Sequence, residues 1–217
     1  MVKFPYSPGV VALSRLIPAE VILPIGTRLA RVYYADARYP TAWNAFRYFG
    51  PLNARWDHHL STAAGAAVEQ SRGIYYAATD AKTCLAEAFQ MTRRIDRAFQ
   101  SPWLSVFESA QPLRVLDLAG DFATRMGASM AIHSGSHSRA RSWARSWARD
   151  LYEAFPHIQG IRYASSMNGG APAFALNERA LRTPVFPEHP LFHRALADDL
   201  MFGALIHAAR ALGYRLR

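Results

Sequence analysis

The chain has 217 residues, of which 51% are hydrophobic and 19% charged, so it can build its own core as ordinary globular proteins do. Its formal net charge of +9 favours an anionic partner, which could be nucleic acid, an acidic protein or a phosphate-bearing ligand. A single cysteine excludes an internal disulfide and a cysteine-rich zinc site, and it fits a reducing cytoplasm. No segment approaches the ~18 apolar residues of a membrane span, and no secretory signal is visible, so we expect no membrane association.

The first third of the chain is predicted to contain one strand between two irregular segments. Residues 1–25 include four prolines and are expected to form an extended arm that lies on the domain. Residues 29–34 are rich in β-branched and aromatic side chains, which predicts a strand. Residues 36–71 contain prolines, glycines and an alanine-rich piece. We interpret them as a long ligand-facing loop region with at most one short helix.

A strand followed by a helix is predicted next. Residues 74–78 have strand composition, and Thr79 or Asp80 can cap the following helix. Cys84 falls on the apolar face of that helix and is expected to be a core cysteine rather than a nucleophile. Glu87 points away from the apolar face, and its spacing leaves open whether it is solvated or turned toward a cleft.

The second half of the chain mixes strands and helices without strict alternation. Residues 140–155 are predicted to form an amphipathic helix, with one stripe of large apolar side chains and another of arginines. The arginine stripe is expected to face solvent, or alternatively to bind an acidic partner. Its members are Arg141, Arg145 and Arg149. Further strands are predicted at residues 103–107, 113–118, 161–164 and 173–176, and a last helix at 191–212 that ends at Gly213. We therefore predict an α+β fold with a compact central sheet and flanking helices.

Three short motifs place a polar, chemically capable residue beside a predicted strand. The first is Asn-Ala-Arg-Trp-Asp at residues 53–57, which contains Arg55. The second is the strand with Tyr76, followed eleven residues later by Glu87 on the helix. The third is Tyr-Ala-Ser at residues 163–165, which ends in Ser165. Rigid strands that carry such residues at their ends are a common way to build a polar pocket.

In content and order these motifs resemble the RES domain, a bacterial toxin family named for its arginine, glutamate and serine. The resemblance runs from about residue 31 to residue 180, and residues 1–217 are predicted to form a single RES-like domain. It implies an ADP-ribosyltransferase-like fold and cleavage of NAD at its nicotinamide–ribose bond by a glycohydrolase or phosphorylase. It also implies the toxin of a toxin–antitoxin pair, with an antitoxin of the Xre type as partner. The catalytic residues implied are Arg55, Tyr76, Glu87 and Ser165.

The NAD-binding residues implied are Arg31, Arg55, Trp56, Tyr76 and Ser165. NAD is the substrate, and no cofactor or metal is expected. Tyr75 is expected to face the other side of the strand from Tyr76, because successive side chains alternate. The oligomeric state stays open, with a homodimer among the options.

Two other functions remain open from the sequence. A mono-ADP-ribosyltransferase would use the same cleavage with a protein as acceptor, whereas a non-catalytic nucleic-acid-binding module would use the net charge of +9. If the chain is the NAD-cleaving toxin, no direct contact with nucleic acid is expected. The adjacent His58 and His59 lack the spacing of helical zinc ligands, and we expect them to line the edge of the pocket instead.

Overall fold

The computed structural model describes residues 6–134 and 138–217, whose strands form a mixed nine-stranded sheet and a small two-stranded one. The strands are β1 (Glu20–Leu23), β2 (Arg28–Tyr34), β3 (Arg47–Gly50), β4 (Val68–Ala78), β5 (Arg94–Ile95), β6 (Pro102–Glu108), β7 (Leu113–Asp117), β8 (Gly160–Ala164), β9 (Pro172–Asn177), β10 (Phe192–Ala195) and β11 (Arg215–Leu216). The α-helices are α1 (Val10–Leu13), α2 (Ala81–Ala88), α3 (Phe122–Arg125), α4 (Ala131–Ser134), α5 (Ser138–Ala154) and α6 (Phe202–Leu212). This mixed sheet with flanking helices confirms the predicted α+β class.

The large sheet has the strand order β1-β7-β8-β9-β4-β2-β6-β10, with β3 added beside β4. The β7–β8 pair is parallel, and the other pairs of this sheet are antiparallel. One junction is weak. The register between β2 and β4 consists of the single pair Ala30–Ala78, whereas β2 pairs with β6 over seven residues. The sheet therefore divides between β2 and β4, and beyond Ala30 the two strands leave room for a cavity.

Alternation along the strands sends side chains to two separate cores. On one face, Trp147 and Leu151 of α5 and Phe155 directly after it pack with residues of α1, α3 and α4, which confirms the predicted apolar stripe. On the other face lies an aromatic cluster that includes Tyr75 and Phe107. A third core joins α2 to α6 and to the two-stranded sheet. Each face of the large sheet is thus covered.

The helix α2 begins and is anchored as its sequence predicts. The carboxylate of Asp80 accepts hydrogen bonds from the backbone N–H and the hydroxyl of Thr83, so Asp80 rather than Thr79 is the N-cap. The thiol of Cys84 is buried and donates to the Ala30 carbonyl at 2.9 Å. Burial raises its pKa far above the usual value, which confirms a structural cysteine.

Three segments differ from the prediction. The part of the 1–25 segment that the structure describes is more than an extended arm, because it contains α1 and the edge strand β1. The 36–71 segment contains β3 and the start of β4, and no helix. The predicted helix 191–212 is wrong in its first half. There Phe192–Ala195 forms β10, which gains backbone hydrogen bonds from the edge of β6, and only Phe202–Leu212 is α-helical. The helix ends at Gly213 in the left-handed conformation, as predicted.

Close packing of β8 on β9 yields a stability prediction. A Cβ at Gly160 would lie 2.7 Å from Leu176 Cα and 2.8 Å from the Ala175 carbonyl oxygen, which are backbone atoms that cannot move aside. We expect Gly160→Ala to lower the free energy of unfolding by about 1–3 kcal/mol. Gly203→Ala is the matched control, because that glycine lies in α6 with open space around it. It should raise stability by about 0.5–1 kcal/mol. Urea unfolding of both variants measures the difference, and equal effects would contradict the packing argument.

Candidate functional site

A cavity of about 330 Å³ opens where β2 and β4 diverge. Its walls come from β2, β4, β8, α2, α5 and the loop before Trp56. A cavity of this size falls in the range of small-molecule sites. The polar and aromatic side chains that line it are Tyr34, Asn53, Arg55, Trp56, Tyr76, Glu87, Gln90, Arg141 and Tyr163.

Glu87 supplies the carboxylate of this cavity. The Ser165 hydroxyl donates to Glu87 Oε1 at 2.5 Å, and the Gln90 side-chain amide donates to Glu87 Oε2 at 3.3 Å. Ser165 is itself almost fully buried and is not part of the cavity wall, so it reaches the cavity through Glu87. Of the two orientations that the sequence left open for Glu87, the structure has the one toward a cleft.

Opposing effects set the charge of Glu87. Burial raises the pKa of its carboxyl group. The hydrogen bond from Ser165, the charge of Arg55, the hydrogen bond from Gln90 and the charge of Arg141 all act in the other direction. The pKa of Glu87 is raised overall, while these neighbours favour the charged form in a partly dry site, an arrangement that is frequent at catalytic centres.

Arg55 lies in the same cavity and is half-buried. Its Nη1 donates to the Ile132 carbonyl at 3.1 Å, which fixes one side of the guanidinium. Burial lowers the pKa of Arg55, and the nearby Glu87 opposes this shift. Trp56, the next residue, is fully buried, with the rings of His133 and Tyr163 each 5.7 Å from its own. The packing of Trp56 in the core therefore fixes the position of the loop that carries Arg55.

Tyr76 and Tyr75 occupy opposite faces of β4, as strand alternation predicts. The Tyr76 ring lines the cavity, and burial raises the pKa of its hydroxyl well above the usual value. Tyr75 lies in the aromatic core of the other face, where its hydroxyl donates to the Trp43 carbonyl at 2.7 Å. The cavity therefore uses Tyr76, and Tyr75 is a core residue.

Arg31 is not brought into the cavity with Glu87. Its guanidinium carbon lies 3.9 Å from the centre of the Tyr75 ring, on the face of β2 opposite to Val32. It lines an adjoining cavity of about 480 Å³, which shares Tyr76 and four other lining residues with the first. The role of Arg31 in binding NAD stays a prediction without support from this geometry.

Arg141 lines the cavity although the sequence assigned it to a solvated stripe. It is only 5% exposed, and its Nη2 donates to Gln90 Oε1 at 3.2 Å and contacts Met91 Sδ at 2.8 Å. Arg145, one turn further on, is half-buried and reaches Asn53 Oδ1 at 3.4 Å. The solvated-face interpretation is wrong because the arginines of α5 contact Asn53 and the turn that follows α2. The sequence shows a stripe of arginines at four-residue spacing, but it does not show whether the stripe faces solvent or a cavity.

The predicted placement of His58 and His59 at the pocket edge is also wrong. Both are buried, and neither lines the cavity with Glu87. His59 Nδ1 lies 2.5 Å from Asp57 Oδ1, while Asp57 Oδ2 accepts hydrogen bonds from Arg47 Nη2 at 2.8 Å and the Leu52 backbone N–H at 2.7 Å. This buried network fixes the loop that leads to Arg55. Contacts with Arg47 could not be deduced from the local sequence.

In the part of the chain that the structure describes, no group of three or more histidine, cysteine, aspartate or glutamate side chains is placed to hold a metal ion. Among those residues, no helix is long and apolar enough to cross a membrane.

Comparison with known proteins identifies the family. The family model of the RES domain matches residues 28–195, most of the chain, so the protein belongs to the RES domain family. None of the curated proteins matches the sequence significantly. Among solved structures, the chain is similar to MbcT in the "Crystal structure of the M.tuberculosis MbcT-MbcA toxin-antitoxin complex". The TM-score is 0.53 and the identity 16%, over 93% of this chain and 96% of that chain. At this identity the likeness shows a common fold.

The hydrogen bond between Ser165 and Glu87 can be tested directly. Removing this bond takes away the largest effect that opposes burial, so Ser165→Ala should raise the pKa of Glu87 further. Ser166→Ala is the matched control, because Ser166 is exposed. Carboxyl ¹³C NMR titration of each variant measures the change. An unaltered Glu87 titration in Ser165→Ala would show that the bond does not control the charge of the carboxylate.

Proposed function

We propose that the protein cleaves NAD at the bond between nicotinamide and ribose, with NAD as substrate rather than as bound cofactor. The observation that carries the proposal is the carboxylate of Glu87, held by Ser165 in a cavity that it shares with Arg55 and Tyr76. These are the four residues on which the resemblance to the RES domain rests. Membership of that family adds support.

The chemistry suits a site with one ionised carboxylate. When the glycosidic bond breaks, its electron pair goes to the nicotinamide ring, which leaves as a neutral molecule and needs little acid catalysis. The ribose that remains develops positive charge, as in glycoside hydrolysis. Glu87 would stabilise that charge at short range in a partly dry cavity, where electrostatic effects are strongest. Ser165 acts as a positioning residue, because it contacts Glu87 and not the cavity.

The other walls match the remaining parts of the substrate. Trp56, Tyr76 and Tyr163 give aromatic surface for the flat nicotinamide ring. Arg55 presents a guanidinium, whose planar fork binds phosphate oxygens in pairs. An acceptor completes the reaction. Water would yield ADP-ribose with release of a proton, whereas inorganic phosphate would yield the ADP-ribose phosphate ester.

The biological role that we propose is that of a toxin in a toxin–antitoxin pair, acting in the cytoplasm on the NAD pool. Two findings support it: the RES domain and the fold shared with MbcT, which was solved in a toxin–antitoxin complex. An antitoxin of the Xre type that covers the cavity would be the partner. Expression of the protein without a partner should then arrest growth and deplete NAD.

The Glu87→Gln variant tests the catalytic role of the carboxylate. Glutamine keeps the shape and removes the charge, so NAD cleavage should fall at least about 100-fold while the KM for NAD changes little. Glu69→Gln, which alters an exposed glutamate of β4, should leave turnover unchanged. The same Glu87→Gln variant should no longer arrest growth. Near-normal cleavage by purified Glu87→Gln protein would refute the role.

The Arg55→Ala variant tests the phosphate contact. Loss of a guanidinium that binds the substrate should lower kcat/KM for NAD by about 100-fold. The exposed Arg15→Ala variant provides the control for loss of one positive charge. Kinetics with purified proteins of matched thermal stability give the comparison. If Arg55→Ala cleaves NAD as well as Arg15→Ala does, Arg55 has no part in binding the substrate.

A further inference from the structure

Arg141 is a buried cation with a feature that the proposed catalysis leaves unexplained. Its side chain is almost completely enclosed, yet it lines the cavity that contains Glu87 and Arg55. Within residues 6–134 and 138–217, no carboxylate oxygen lies within 4.0 Å of its guanidinium. Glu87 attracts Arg141 from beyond that distance and faces Arg55 as well. A charge removed from water with no direct ionic partner is costly, unless a ligand supplies the opposite charge.

The contacts of Arg141 aim the side chain without neutralising it. Gln90 Oε1 and Met91 Sδ both contact the same nitrogen, Nη2, and neither carries a charge. Gln90 also donates to Glu87 Oε2, so one amide fixes both the guanidinium and the carboxylate. A guanidinium has five N–H donors, and these contacts use one of its nitrogens. Among the residues that the structure describes, its other nitrogens have no hydrogen-bond acceptor, which leaves them for a planar or tetrahedral oxyanion.

The charges in the cavity point to the same kind of ligand. Glu87 can supply at most one negative charge, so Arg55 and Arg141 together make the formal charge of these three side chains positive. Burial is the main effect that lowers the pKa of Arg55, and Glu87 opposes it. The charge of Arg141 lowers this pKa further, so the two guanidiniums are close together. Two like charges placed in one cavity are relieved by a ligand group with two negative charges.

We infer that Arg141 and Arg55 together bind the diphosphate of the dinucleotide, with Arg141 as a residue that selects substrates bearing that group. The inference rests on the proposed function, which it deepens by assigning a second cation to the substrate. Each guanidinium would meet one of the two phosphates, because both approach the cavity from different elements, Arg55 from the loop and Arg141 from α5. The alternative is a purely structural arginine that joins α5 to the turn after α2 through Gln90.

Binding of inorganic pyrophosphate, measured by titration calorimetry, separates these alternatives without any need for turnover. Arg141→Gln should bind pyrophosphate at least about tenfold more weakly than the wild type. Arg149→Gln is the matched control, since it removes the same charge from the same helix outside the cavity. Arg141→Lys keeps the charge and should retain part of the affinity. It also serves as the test if Arg141→Gln does not fold.

Kinetics with NAD add a second measurement. Arg141→Gln should raise the KM for NAD about tenfold or more, whereas inhibition by nicotinamide, which has no phosphate, should not change. A structural arginine would instead weaken both ligands together. Equal pyrophosphate affinity in Arg141→Gln and the wild type, or no binding by the wild type, would overturn the inference. If pyrophosphate binding depends on Arg141 but the wild-type protein does not cleave NAD, the anion site is upheld and only the proposed reaction is refuted.

Discussion

The cavity depends on one constraint, the single register pair that joins β2 to β4. Ala30 and Ala78 are paired there, and the Ala30 carbonyl also accepts the hydrogen bond from the Cys84 thiol. The point where the sheet divides is therefore the point where α2 is fixed to it. Beyond that point β2 stays paired with β6, and β4 stays paired with β9. The polar residues of β4, β8 and α2 therefore face the gap between β2 and β4 instead of a continuous core. The separation of the strands creates the space, and the anchored helix brings Glu87 to it.

Some of the positive charge of the chain lies inside the molecule. Arg55 and Arg141 face the cavity, Arg31 packs on Tyr75, and Arg47 is paired with Asp57 in a buried network. Asp57 and Glu87 offset part of this inward charge, so the net charge of +9 overstates how basic the surface is by only a small amount. This distribution favours a small anionic ligand, bound in a partly dry site, over a long nucleic acid bound along an exposed face.

Local sequence predicts the strands of the site well, and it fails where contacts between distant segments decide. Strand alternation alone predicts that Tyr76 and Tyr75 lie on opposite faces of β4, because successive side chains of a strand point to opposite sides of the sheet. The polar stripe of α5 looks the same whether it faces water or a cavity, so Arg141 was misplaced. The burial of His59 depends on Gly50, whose missing side chain leaves room for the imidazole; a Cβ there would lie 2.6 Å from the ring. The strand β10 needs the edge of β6, which no local pattern of residues 192–195 can show.

The carboxylate of Glu87 is held by the protein from several sides, which bears on how the site works. Beyond the Asp80 cap, α2 is tied to the β8–β9 turn by the bond from Asn168 Nδ2 to Thr83 Oγ1 at 2.8 Å. Its other end is tied to the C-terminal segment by the Tyr214 hydroxyl, which donates to the Ala86 carbonyl at 3.1 Å. A helix fixed at both ends cannot turn its glutamate toward water to escape desolvation. The cost of burying the carboxylate is then offset by folding, before any ligand enters. In the reaction that we propose, the carboxylate would therefore meet the developing cation without reorganisation.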